Sequence, residues 1–353
     1  MISVIGGDGI GPEVIREGLA VLHAVGARCG HRFATRAALA GGAAIDATGS
    51  PLPDDTLRIV KDSHALLFGA IGGPKWESMP HHLKPEAGLL RLRKELDAWA
   101  NLRPAVVFDE LLDASTIRPE VLRGTDIMVV RELTGGIYFG QPRGIDGAPG
   151  QRRGYNTEVY TEPEIERIVR LAFGLARGRR KLLCSVDKAN VLESSQLWRE
   201  VAIRVGREFP DVQLSHQYVD NAAMQLIRNP RQFDVIVTGN IFGDILSDEA
   251  SQLTGSIGML ASASVGGPVG FFEPIHGSAP DIAGKGLANP LATIGTVALL
   301  LRHGLKLTAE ADLVDGAIRA VLKDGKRTKD IAAPGAAHLT TAEMGAAVLA
   351  KLR

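Results

Sequence analysis

Five short apolar runs, Ile2–Ile5, Ala65–Phe68, Ile127–Val130, Leu182–Val186 and Val235–Thr238, alternate along this chain with longer amphipathic stretches. No other feature constrains the fold as strongly. A run of consecutive apolar residues has no polar face, so as a strand it must be covered on both sides. The stretches Glu13–Val25, Leu89–Trp99, Glu162–Arg177 and Gln196–Phe209 repeat apolar residues at helical spacing and can supply that cover. Such alternation predicts an α/β fold with largely parallel pairing. Thr161, Pro163 and Glu164 have the spacing of a capping box and predict a helix start. At 353 residues, the chain can build one large or two moderate domains.

The segment Arg131–Thr157 breaks the pattern. It is dense in glycine, with Gly-Gly, Pro-Arg-Gly and Asp-Gly turns around the short β-like pieces Gly136–Gly140 and Glu158–Tyr160. Aromatic and β-branched residues flank the turns, which predicts a projecting β-hairpin arm rather than a linker. A projecting hairpin needs an edge to pair with, and a second copy of the chain can provide one.

Forty basic residues balance forty acidic ones, which argues against a nucleic-acid or membrane-surface protein. The basic clusters Arg152–Arg153 and Arg177–Lys181 carry no interleaved aromatics and are read as solvated faces. Cys29 and Cys184 are far apart, without ligand spacing, and are expected to be reduced and buried. The longest apolar stretch, Leu291–Leu301, is too short to span a bilayer, and no charged leader precedes the first strand. A cytoplasmic protein is expected.

Several motifs could carry chemistry. The turn Gly6-Gly7-Asp8-Gly9-Ile10-Gly11-Pro12 follows a strand and opens a helix, but its spacing is not G-x-G-x-x-G and Pro12 falls inside it. It reads equally as a tight strand-to-helix turn. Asp244 and Asp248 are spaced i, i+4, which places two carboxylates on one helix face. Two such charges form either a solvated acidic face or half of a site for Mg2+ or Mn2+, and Asp220 is a third candidate ligand. Arg93 and Arg103 bracket the expected helix GLLRLRKELDAWANLRP, and Arg131 follows a strand. Singly these are surface ion-pair partners; converging, they would clamp a dicarboxylate. Lys188 follows a buried strand, where burial and a nearby cation suit a lysine to act as a base, and Tyr138 could donate a proton. The stretch Glu273–Gly284 has small side chains and many free amides, with His276 and Asp281. It is either an irregular surface loop or a wrap for adenosine, in which Asp281 would hold ribose hydroxyls and repel a 2′-phosphate, favouring NAD over NADP.

Taken together and in order, GGDGIGPEV, GGPKW, EAGLLRLRKEL, ANLRP, VRELTGGIYFGQPRG, YNTEVYT, SVDKANVLESS, DNAAMQLIRNPRQFDVIVTGNIFGDILSDEAS, EPIHGSAPDIAGKGLANP and RTKDIA resemble the β-decarboxylating dehydrogenases. The resemblance spans nearly the whole chain; DASTIRPE, outside the motifs, departs slightly from the commoner wording. It implies a two-domain, non-Rossmann α/β fold with a mixed sheet and a dimerising hairpin arm. Residues 1–99 and 253–353 would form an NAD-binding domain. Residues 100–252 would form a substrate, metal and dimerisation domain, with the arm at about 131–160. Asp220, Asp244 and Asp248 are implied as ligands of Mg2+ or Mn2+, and Arg93, Arg103 and Arg131 as the clamp on the substrate's carboxylates. Lys188 is implied as the base at the C2 hydroxyl, and Tyr138 as the acid that protonates the enol. NAD would be contacted within Gly73–Glu86 and Gly277–Asn289, through Gly73, Glu86, His276, Gly277, Ser278, Ala279, Asp281, Ile282 and Asn289. The resemblance also implies a homodimer with shared active sites, Lys188 and Asp220 coming from one subunit and Asp244, Asp248 and the arginines from the other.

Substrate choice rests on Leu89, Leu90 and Val191, which are apolar and suit an isopropyl group better than a third carboxylate. The expected reaction is therefore the oxidative decarboxylation of 3-isopropylmalate in leucine biosynthesis. Homoisocitrate, D-malate and tartrate are the alternatives within the family. A non-catalytic regulatory subunit is the alternative outside it, although such subunits lose ligands or base and this chain retains them all.

Overall fold

The computed structural model describes residues 1–352. Among them the strands are β1 (Ile2–Gly7), β2 (Thr35–Ala37), β3 (Ala65–Ala70), β4 (Ala100–Val106), β5 (Asp126–Glu132), β6 (Gly144–Asp146), β7 (Arg153–Tyr155), β8 (Leu182–Asp187), β9 (Gln213–Tyr218), β10 (Val235–Thr238), β11 (Ala261–Val265) and β12 (Gly270–Pro274). The α-helices are α1 (Gly11–Cys29), α2 (Gly42–Thr48), α3 (Asp54–Lys61), α4 (Pro85–Glu95), α5 (Pro119–Leu122), α6 (Glu162–Arg177), α7 (Glu193–Gly206), α8 (Val219–Arg228), α9 (Asn240–Ser251), α10 (Leu291–Leu299), α11 (Thr308–Lys323) and α12 (Thr341–Lys351). Two compact units divide the chain: residues 1–98, 108–116 and 254–353 form the first, and residues 99–107 and 117–253 the second. The stretch 108–116, expected in the second unit, belongs to the first, where Arg319 stacks on the Phe108 ring.

In the first unit the strand order is β2-β1-β3-β12-β11. All pairs are parallel except β11 with β12. Every residue of β3 is buried, as an apolar run between covered faces requires. One face carries a cluster of Ile5, Leu57, Val60, Phe68, Leu92 and Phe271, with the Phe68 and Phe271 rings 5.0 Å apart. Helices α1, α10, α11 and α12 pack against one another, and α1 and α10 also pack on the strands.

In the second unit the order is β4-β5-β10-β8-β9, with β4 and β5 antiparallel and the rest parallel. The pairing is therefore largely parallel, as expected, and one antiparallel pair in each unit makes the sheet mixed. β10 is buried throughout and touched by both α6 and α9. Helix α6 begins at the capping box, where the Thr161 amide donates to the Glu164 carboxylate at 2.8 Å.

Three local expectations fail. The helix expected to reach Arg103 ends at Glu95, after which Asp97 takes φ 46° and β4 begins. Pro104 inside the strand conceals it, because proline cannot donate to a ladder. The hairpin is also shorter than expected: β6 and β7 pair antiparallel with every residue exposed, whereas Gly136–Tyr138 is a 3-10 turn and Glu158–Tyr160 is not strand. Finally, Cys184 is buried as expected, but Cys29 is half-buried at the end of α1. No helix among the described residues is long and apolar enough to cross a membrane.

Candidate active site

In the second unit, antiparallel pairing sets Asn101 opposite Arg131, and Arg103 lies two residues along β4. Cross-strand partners and i, i+2 neighbours share a face, so all three side chains point the same way. They meet one face of α9, formed by Asn240, Asp244, Ser247, Asp248 and Ser251 at i, i+4, i+7, i+8 and i+11. Arg131 is buried and forks onto it: Nε and Nη2 donate to the Asn240 carboxamide oxygen at 3.1 and 2.8 Å, and Nη1 donates to Asp244. Arg103 donates through Nη1 to Ser247 Oγ at 2.7 Å and to Asp248 at 3.2 Å, and lies 3.6 Å from Asp244. Its Nε donates to the Asn101 side chain at 2.7 Å. Asp248 keeps 66% of its side chain exposed and is open to a ligand.

Gly243 lets this packing exist. A Cβ there would lie 2.6 Å from Arg131 Cγ and 2.7 Å from its Cβ. Helix propensity alone favours Gly243→Ala by about 1 kcal/mol. The overlap should outweigh that gain and leave the variant destabilised by roughly 1–3 kcal/mol, read from its denaturant midpoint. A more stable variant would show that α9 and β5 do not pack this closely.

Tyr138 ends the 3-10 turn that follows β5, and its hydroxyl donates to the other Asp244 oxygen at 3.0 Å. The Arg131 guanidinium lies 5.9 Å from its ring centre. Burial raises the phenol's pKa, and the charge and hydrogen bond of Asp244 raise it further. The group therefore keeps its proton at neutral pH.

Lys188 and Asp220 form a separate pair. They leave the carboxyl ends of the adjacent parallel strands β8 and β9, and the lysine ammonium donates to Asp220 at 2.7 Å. That hydrogen bond, with the backbone amides of the α8 start, holds Asp220 below the usual carboxylate range. Lys188 is thus partly exposed and ion-paired, rather than enclosed beside the strand. Among the described residues of one chain, no group of three or more His, Cys, Asp or Glu is placed to hold a metal. Asp220 does not join Asp244 and Asp248 within one chain.

In the first unit, Arg93 on α4 pairs with the buried Glu273 at the end of β12, and its Nε is buried without a partner. The start of α4 borders a cavity of about 250 Å³, lined by Gly73, Trp76, His81, Lys84, Glu86 and Leu90 among others. Leu89 turns partly into the core, so it is a weaker candidate for contacting a ligand than Leu90, which is 45% exposed. Val191, in the second unit, is 60% exposed.

The glycine turn after β1 supports other loops. The Asp8 carboxylate accepts from the amides of Gly42, Ala43 and Gly72 at 2.7–2.9 Å. Gly9, at φ +56°, lies so close to Ser278 that a Cβ would come within 2.0 Å of its carbonyl oxygen. The Ile10 amide donates to that same oxygen at 2.8 Å. The turn thus braces the loop that carries Gly277, Ser278, Ala279, Asp281 and Ile282. Ala279 sits at φ 38°, unusual for a residue with a Cβ, and Ile282 packs on Ile10 and Val14. His276 is buried with Nε2 unpartnered, and burial lowers its pKa. Asn289 caps the Leu291 amide at 3.0 Å and donates to Asp330 at 3.0 Å. Asp281 and Gly277 are exposed.

Sequence reasoning passed over Asn101, Asn240, Ser247 and Glu273. The repeat of polar residues along α9 could have pointed to Asn240 and Ser247; Glu273 opens the candidate stretch 273–284 without a role assigned to it, and nothing local marks Asn101.

The chain matches the sequence model of the isocitrate/isopropylmalate dehydrogenase family over residues 1–348. It is 59% identical to the 3-isopropylmalate dehydrogenase of Sulfurimonas denitrificans, covering 98% of this chain and 97% of that protein. It is 56% identical to the 3-isopropylmalate dehydrogenase of Methylococcus capsulatus, over 100% and 98% of the two. Among solved structures, an isocitrate dehydrogenase from Methylococcus capsulatus is similar with a TM-score of 0.88 at 34% identity, covering 100% of this chain and 99% of that one. A β-decarboxylating dehydrogenase from Thermococcus kodakarensis gives 0.81 at 34% identity, covering 99% and 95%.

Proposed function

Because the chain belongs to the isocitrate/isopropylmalate dehydrogenase family, we propose that it oxidises 3-isopropylmalate and releases CO2, giving 4-methyl-2-oxopentanoate in cytoplasmic leucine biosynthesis. The observation that carries this reading is the meeting of Arg103 and Arg131 on one acidic helix face beside Tyr138. Two guanidinium forks suit a dicarboxylate, and a phenol within reach suits proton delivery. Sequence similarity bears on the substrate: against two Methylococcus capsulatus proteins, identity is 56% to the isopropylmalate enzyme and 34% to the isocitrate enzyme. The exposed apolar side chains of Leu90 and Val191 favour an isopropyl group over a third carboxylate.

Asp220, Asp244 and Asp248 would hold the metal; an all-oxygen set with no His or Cys suits Mg2+ or Mn2+. When bound, the cation supplies charge stabilisation at the C2 oxygen and NAD supplies the hydride acceptor. Lys188 takes the C2 hydroxyl proton. Arg93, Arg103 and Arg131 orient the carboxylates, and Tyr138 delivers a proton to C3 once CO2 has left. Gly73 and Glu86, with the loop His276–Ile282 and Asn289, hold NAD, and Asp281 selects it over NADP by repelling a 2′-phosphate.

The working form is a homodimer whose subunits each complete the other's site. Support comes from the separation of Asp220 from Asp244 and Asp248 within one chain. Further support is the exposed apolar set Met224 and Ile227 on α8 with Ile245 on α9, and the open edges of the β6–β7 hairpin.

NADH production on purified acids tests the substrate. The value of kcat/KM for 3-isopropylmalate should exceed those for D-malate, tartrate, isocitrate and homoisocitrate by at least about 100-fold. A preference for any of the others overturns the assignment.

A further inference from the structure

We propose that Asn240 is a positioning residue that sets, with one side chain, both the clamp arginine Arg131 and the turn that carries Tyr138. The inference rests on the substrate and acid roles given above to those two residues. Asn240 opens α9 and is 1% exposed. Its carboxamide oxygen accepts both Nε and Nη2 of Arg131. Its carboxamide nitrogen donates to the carbonyls of Leu133 and Gly135 at 3.1 and 3.0 Å, and its backbone amide donates to the Tyr160 hydroxyl at 2.7 Å. Both lone pairs and both N–H groups are therefore used, and the oxygen and nitrogen can be placed only one way round.

Leu133 and Gly135 belong to the turn that ends at Tyr138. The buried Glu132 carboxylate holds the same turn from another side, accepting from Thr134 N, Thr134 Oγ1 and Gly135 N at 3.0, 2.9 and 2.7 Å. Gly136, at φ +72°, lies against Tyr160, whose hydroxyl would stand 2.4 Å from any Cβ. Asn240 bonds at once to the backbone of this turn and to the Arg131 guanidinium, whereas Asp244 joins Arg131 to the Tyr138 hydroxyl alone. No other residue of its size offers two acceptor and two donor positions together: Asp lacks the donors, and Leu lacks both.

The test is a pair of double-mutant cycles on the full-length enzyme, with amide exchange of the ligand-free protein as a readout independent of activity. Asn240→Leu should lower kcat about tenfold and raise KM for isopropylmalate about tenfold. In a Tyr138→Phe background its kcat cost should shrink to about twofold or less, and in an Arg131→Gln background its KM cost should shrink likewise, because each partner's contribution is already gone. Exchange should quicken across residues 133–140 while the 144–155 hairpin stays parental. If Asn240→Leu fails to fold, the isosteric Asn240→Asp carries the same measurements. Equal costs in every background, or parental exchange in the turn, would overturn the proposal. A Tyr138→Phe enzyme with parental kcat would instead overturn the acid role, and the exchange result would still decide whether Asn240 holds the turn.

Discussion

Lys188→Ala and Asp244→Ala proteins are each expected to be inactive when purified alone, and a mixture dissociated and reassembled should regain about a quarter of parental activity. Lys188 pairs with Asp220, while Asp244 engages Arg131 and Tyr138, and among the described residues of one chain no three-carboxylate group forms. If a working site draws the Lys188–Asp220 pair from one subunit and the α9 face from the other, each mutant homodimer has two broken sites. A heterodimer concentrates both substitutions in one site and leaves the other native. Random reassortment makes half of all dimers heterodimers, each with one good site in two. Losing the base or a principal carboxylate should cost about 10³-fold or more, so even partial recovery stands clear of background. A mixture no more active than its parents would show that each chain builds its own site.

Chelation should be nearly as severe. Stripping divalent cations should lower NADH production by at least about 10³-fold, and Mg2+ or Mn2+ should restore it. Asp248 accepts a 3.2 Å contact from Arg103 and stays largely exposed, so its carboxylate is open to a cation. Oxygen-only donors favour the hard ions over zinc. A second readout does not depend on turnover. A cation that binds only the folded dimer should raise the melting temperature in proportion to the logarithm of its concentration, and Asp248→Asn should weaken that shift. Full activity in excess chelator would remove the metal from the mechanism.

Much of the architecture can be read from local pattern. β10 and α6 run where the apolar run and the capping box predict them, and the i, i+4 spacing of Asp244 and Asp248 places both on one face of α9. The failures share a cause. Arg103 reads as helical in the sequence because Pro104 hides a strand whose identity comes from pairing with β5. The hairpin reads as longer than it is because its glycines permit many turns, and Tyr160, more than twenty residues on, packs against the one that forms at Gly135–Gly136. Asn240 went unnoticed because a buried asparagine has meaning only through the groups around it.

The amino-acid sequence by itself determined the alternation of covered strands and amphipathic helices, the acid spacing on α9 and the family to which the chain belongs. The first two live within a few turns of chain, where side-chain periodicity suffices; the third is carried by motifs spread over residues 1–348. Only the tertiary structure decided that Asn101, Arg103 and Arg131 share a face, that this face meets Asn240, Asp244, Ser247 and Asp248, and that the glycine turn at Asp8 serves as a brace. These outcomes depend on strand register and on packing between segments far apart in sequence, 145 residues in the Arg103–Asp248 contact and more in the Ile10–Ser278 one. A one-residue slip of β4 against β5 would turn Arg103 to the opposite side of the sheet, and no local pattern records that choice.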